Sequence, residues 1–193
     1  IERKNNQCRL VEDIHNITVP STIQDVIMAR VDRLPQGAKD VLQMGAVVER
    51  EFSLEVLKRA MELNEKELLL WISALKKAEL VYEYGLFPEI TFIFNHALTR
   101  DVIYSSILAA NRKKLHLKVG NAIQALYKKN IMEYYGILAE HYIAGETFIK
   151  GAEYSKLAAE RSERAGDIAD AIDYTRKRVA SLEKLSRPDE LQK

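Results

Sequence analysis

Cysteine is almost missing from this chain of 193 residues, where Cys8 stands alone. One thiol cannot close an internal disulfide, so stability must come from packing, and a reducing compartment is the simple expectation. Proline and glycine are sparse, at four and eight, which excludes collagen-like and low-complexity chains. No apolar run approaches the ~18 residues a membrane-spanning helix needs, and no secretory signal opens the chain. Charge of one sign is missing in bulk: 29 Lys and Arg against 28 Asp and Glu leave a net +1. That argues against a generally polybasic nucleic-acid binder, though not against local patches. What is present, 47% apolar and 30% charged residues, describes an ordered, helix-rich protein with chain enough for one large domain or two small ones. It opens on IERKNN without an initiator methionine. The expectation is a cytoplasmic protein, met here as a fragment with no membrane partner.

Catalytic signatures are missing too. The chain has no GxxxxGKS/T, no GxGxxG after a strand, no GxSxG and no HExxH. His15, His96, His116 and His141 have no metal-ligand spacing and no cysteine partners, so no metal site is expected. Glu65 with Glu67, and Glu160 with Glu163, sit among other charges and read as solvated helix faces. No catalytic residue is assigned. The chain itself is expected to be neither an enzyme nor a holder of a cofactor.

The organisation that remains is mainly α. VPSTIQDVIMARVDRLP predicts a helix capped at Ser21 or Thr22 and ended by Pro35. Three short helices follow. The first carries Ala38, Val41, Leu42 and Ala46; the second begins after the cap candidate Ser53 with Leu54, Val56, Leu57 and Ala60. The third opens on Asn64 and Glu67 at capping-box spacing, with Leu68, Ile72, Leu75 and Ala78 inward. ELVYEYGLFPEITFIF then reads as a hairpin turning at Gly85 and Pro88. Three helices and a hairpin is the order of a winged helix-turn-helix.

Beyond it the expectation is all helix: about 98–110, then 112–129 with Leu115, Val119, Ala122 and Leu126 on one stripe, then three more. The last is expected to bury Ile168, Ile172, Val179 and Leu182. The turns IAGE (143–146) and RAGD (164–167) suit antiparallel helical hairpins of tetratricopeptide style. The division predicted is 1–34 as a linker region, 35–100 as winged helix and 101–193 as the α-helical, tetratricopeptide-like array. Trp71, Phe87, Phe92, Phe94 and Tyr104 are read as core.

Two basic features stand out. Arg112, Lys113, Lys114, Lys118, Lys128 and Lys129 fall in a stretch without acids, and Lys114, Lys118 and Lys128 can line one side of a helix. They read either as a solvated face or as a surface for an acidic partner or nucleic acid. Lys76 and Lys77 lie on the third helix, the DNA reader of many winged helices, but Glu65 and Glu67 crowd its start.

The segment FIFNHALTRDVIYSSIL switches from strand to helical period at His96, which either caps the new helix or has a task of its own. With LPQGAKDVLQ and the hairpin tip GLFPE, the junction FNHALTRDVIY resembles the region behind the ATPase core of STAND-type signalling NTPases. The likeness covers about residues 18–185. It is nearest to ATPases fused to class III adenylate/guanylate cyclases, kinases or LuxR-type regulators. The resemblance implies a P-loop domain upstream in the same chain, with ATP or ADP and Mg²⁺ bound there. This region would then be non-catalytic, relaying nucleotide state to a helical surface for an unknown protein partner. It also implies a role for His96. In related proteins an MHD-type motif at this place contacts the β-phosphate of ADP, and here the aligned residues are Asn95, His96 and Ala97. The alternative is a DNA-binding winged-helix regulator with a helical dimerisation tail.

Overall fold

The computed structural model describes residues 2–4, 7–9, 21–85 and 90–186. The chain divides into two compact units, residues 1–33 and 34–193. In the first, β1 (Glu2–Lys4) pairs antiparallel with β2 (Gln7–Arg9), Arg3 opposite Cys8, and α1 spans Ser21–Asp32. The side chains of Cys8 and of the cap candidates Ser21 and Thr22 lie outside the described residues. Pro35 does not end α1, which stops at Asp32. It opens the next helix instead, its carbonyl accepting from Ala38 N at 3.0 Å and Lys39 N at 3.1 Å, as suits a residue whose own N–H is missing.

The second unit begins with α2 (Gln36–Val48), β3 (Glu51–Ser53), α3 (Leu54–Met61), α4 (Glu65–Lys77), β4 (Val81–Tyr84) and β5 (Thr91–Phe94). The strands form one antiparallel sheet in the order β3-β5-β4, with Phe52 opposite Phe92 and Val81 opposite Phe94. Period-two alternation puts Phe52, Phe92 and Phe94 against the helices, all at most 1% exposed. The Phe52 ring lies 6.0 Å from Phe92 and 5.4 Å, edge-on, from Phe94. Gly45 of α2 admits that ring, since a Cβ there would stand 2.9 Å from Phe52 Cε1. Trp71 is only half-buried, packed over Gly37. Phe87 and Pro88, with the rest of the hairpin tip at 86–89, lie outside the described residues. Ser53 caps α3, its side chain accepting from Val56 N at 3.2 Å. Asn64 caps α4 by accepting from Glu67 N at 2.9 Å. Glu67 does not complete the box by reaching the Asn64 backbone; it receives the Asn64 side-chain amide at 3.4 Å.

Then come α5 (Ala97–Ser106), α6 (Ala109–Leu126), a 3-10 turn (Ile131–Tyr134), α7 (Tyr135–Ala144), α8 (Phe148–Ala165) and α9 (Ile168–Ser186). From α7 onward each helix packs on the one before it, and the short connections make the neighbours antiparallel. Three expectations are corrected. First, α5 and α6 break at Ile107–Leu108, and α6 ends at Leu126, so Lys128 and Lys129 lie beyond the helix. Second, the buried line of α6 is His116, Val119, Gly120, Ala122 and Ile123, while Leu126 is exposed. Third, α9 does not bury its aliphatic stripe. Ile168, Ile172, Val179 and Leu182 are 58, 48, 49 and 45% exposed, and its buried residue is Ser181.

The turns divide differently from their common A-G pattern. At 164–167, Gly166 takes the left-handed conformation (φ 81°), with Asp167 N on Ser162 O at 2.9 Å. At 143–146 that position belongs to Glu146 (φ 54°), with Thr147 N on Tyr142 O at 2.8 Å. Gly145 serves another purpose: a Cβ there would stand 3.3 Å from Leu117 N and Lys113 O, so it lets α7 end against the α6 backbone.

Candidate functional site

The strand-to-helix junction is built by Asn95. Its N–H donates to Leu80 O at 3.1 Å and its side-chain amide to Glu79 O at 2.7 Å, tying the end of β5 to the loop before β4. His96 follows as the first residue outside α5, extended at φ −136° and ψ 137°, and its carbonyl accepts from Thr99 N at 2.9 Å. Its side chain makes no capping hydrogen bond and is exposed. His96 thus stands at the N-cap position of α5, where its backbone carbonyl rather than its imidazole makes the bond. Ala97 beside it is exposed as well.

One turn on, Arg100 points back into the fold. Its Nε donates to Ala46 O of α2 at 3.0 Å, and its Nη1 reaches Asp101 at 3.2 Å. A cation near the last turn of α2 satisfies a carbonyl and favours the negative end of the helix dipole. The Arg100 guanidinium also lies 4.8 Å from the centre of the Tyr104 ring, and that of Arg112 lies 5.3 Å from it. Tyr104 thus contacts two cations. Its hydroxyl is 2.9 Å from His116 Nε2, and His116 Nδ1 is 2.9 Å from His141 Nδ1. Side-chain contacts therefore run from α2 through α5 and α6 to α7.

The two rings are buried, and burial is the leading cause that lowers both: His116 to about 4, helped by the charges of Arg100 and Arg112, and His141 to about 3, helped by His116. Both are neutral at pH 7, so only one of the facing Nδ1 atoms carries hydrogen. If His116 donates there, the Tyr104 hydroxyl donates to Nε2; if His141 donates, Nε2–H donates to the Tyr104 oxygen. This arrangement fastens helices together rather than carrying charge.

Sequence reading missed this pair, because 25 residues separate its members. A signal existed: His116 stands three and seven residues before Val119 and Ile123, on the line that α6 buries. A ring nitrogen there needs a partner.

The cations singled out from sequence do not form one patch. Lys76 is paired with Glu83 at 2.8 Å, and Lys77 is exposed beside it on α4. Arg112 is used on Tyr104, and Lys113 is paired with Glu146 at 2.7 Å. Lys114 and Lys118, four residues apart, share an exposed side of α6. Lys128 does not extend that side, since it lies past the helix end. Lys118 also lines a groove of about 680 Å³ between α3 and α6, with Lys58, Arg59, Glu55 and Glu62. Among the described residues no three of His, Cys, Asp and Glu converge as a metal site. No helix among them is long and apolar enough to cross a membrane.

Comparison with models of known families and with curated proteins gives no match.

Proposed function

We propose that the chain is the control and protein-interaction region of a STAND-type signalling ATPase, with an ATP- or ADP-binding P-loop domain upstream in the same cytoplasmic polypeptide. In this reading residues 35–100 are the winged helix and 101–193 the start of a tetratricopeptide-like sensor. Several features support it: the order α2-β3-α3-α4-β4-β5, the three-stranded sheet, and the antiparallel stacking from α6 to α9. One observation carries the functional half. His96 stands two residues past the third strand of the sheet with its imidazole exposed and in no capping hydrogen bond, while its neighbours Asn95 and Arg100 are both tied into the fold.

An imidazole held at a rigid junction can donate N–H to a phosphate oxygen presented by another domain. Nucleotide would then favour one arrangement of the domains. A partner that binds the helical tail better in one arrangement shifts the balance by that difference in affinity.

The DNA-binding alternative has less behind it. On α4 the outward side chains include Leu69 and Leu70, 40 and 61% exposed, and Lys76 is already paired. Phosphate contacts call for free cations instead.

The test uses the parent chain with His96→Leu and labelled ADP. The expected result is at least tenfold faster ADP release with the P-loop intact. Unchanged ADP retention would overturn the sensor role.

A further inference from the structure

The open side of α9 carries Ile168, Ile172, Thr175, Val179 and Leu182, at successive spacings of 4, 3, 4 and 3 residues. This is the seam spacing with which one helix receives another. The four aliphatic members are between 45 and 58% exposed, and among the described residues no element covers them. Beside them, α8 and α9 enclose a groove of about 440 Å³ lined also by Ala159, Ala171, Lys156, Glu160 and Glu163. An exposed line of four aliphatic side chains, with Thr175 at its centre, is the kind of surface through which proteins interact. The inward side of α9 is already occupied: Tyr174 lies against Gly136, and Lys177 reaches Glu140 of α7.

The charges bordering the seam select the occupant. Arg176 and Arg178 flank its middle, both exposed and without an ion pair among the described residues, and Glu183 is the exposed acid one heptad past Arg176 on the same flank. On the α8 wall Lys156 and Glu160 pair with each other at 3.7 Å, which leaves Glu163 as the remaining acid. Two copies of α9 packed antiparallel across this seam would bring Arg176 and Arg178 of each towards those of the other near the two-fold axis. Like charges there oppose an antiparallel pair of copies. We infer that α9 receives an amphipathic helix of another protein, with an apolar 3-4 seam and acidic residues flanking it opposite Arg176 and Arg178. This deepens the interaction role proposed for the helical tail and rests on it. It does not involve nucleotide, so its failure leaves the His96 experiment standing.

The probe is a synthetic three-heptad peptide with Leu at a and d and Glu at e and g, fluorescently labelled and titrated with the 193-residue chain. A counterpart carries Lys at e and g. The acidic peptide is expected to bind at least tenfold more tightly at low salt, and the margin should shrink at 0.5 M salt. Arg176→Glu with Arg178→Glu should reverse the preference. Ile172→Asp with Val179→Asp should abolish binding, with the helical circular dichroism unchanged because both side chains are exposed. No binding, equal binding of the two peptides, or insensitivity to the aspartates would overturn the proposal. So would a dimer of the chain alone in sedimentation that the aspartates dissolve, which would give the seam to a second copy.

Discussion

Replacing His116 and His141 together by leucine should remove most of the acid sensitivity of the folded chain between pH 8 and pH 5. Both rings are less than a tenth exposed, so solvent screening removes little of the effect. In the unfolded chain each titrates near 6.5, whereas in the fold they sit at about 4 and about 3. As pH falls below 6.5 the unfolded chain takes up two protons that the folded chain refuses. Stability is therefore full above pH 6.5 and is lost as pH falls towards the folded values. At pH 5 each ring accounts for about 2 kcal/mol, and the pair for about 4 kcal/mol. Against the 5–15 kcal/mol typical of a domain, that is a large fraction. Urea unfolding followed by circular dichroism at pH 5, 6, 7 and 8 measures it. The wild type should lose stability most steeply between pH 6 and 5, and the double leucine variant should be nearly flat there. The reasoning is refuted if the wild type changes by less than about 1 kcal/mol over this range. An equally steep double variant would refute it as well.

Three further substitutions test the packing and the turns by the same assay. Gly45→Ala puts a methyl 2.9 Å from Phe52 Cε1 at the centre of the core, and should cost about 1–3 kcal/mol because the surrounding rings leave no room to shift. Glu79 holds the left-handed conformation (φ 55°) after α4, so Glu79→Gly should raise stability by about 1 kcal/mol. Gly166→Ala should lower it by a similar amount, although nothing stands within 4 Å of the added methyl. An opposite sign for either of the last two would show that backbone conformation is not what limits these turns.

Elements with strong local patterning were legible. The apolar sets of α2 and α3, the caps at Ser53 and Asn64 and the hairpin pairing all follow from nearest-neighbour chemistry. Legibility failed where tertiary contacts decide. The inward line of α6 is turned from the predicted one because His116 and Gly120 belong to it, the first through His141 and the second through close approach to Tyr142. The stripe of α9 has the spacing of a buried face, yet spacing does not say whether a neighbour exists. The break at Ile107–Leu108 carries no proline or glycine to announce it. At the candidate site the strand-to-helix switch at His96 was visible from periodicity. Which side chains the fold had already committed was not, since the partners of Asn95 and Arg100 lie 16 and 54 residues away.

The measurement closest to the central claim is the reading frame upstream of Ile1 in the source genome. The account predicts an in-frame P-loop followed by an acidic Mg²⁺ site, placing His96 behind a nucleotide-binding domain. A start codon within a few residues of Ile1 would contradict it and leave a small regulator to be tested against DNA.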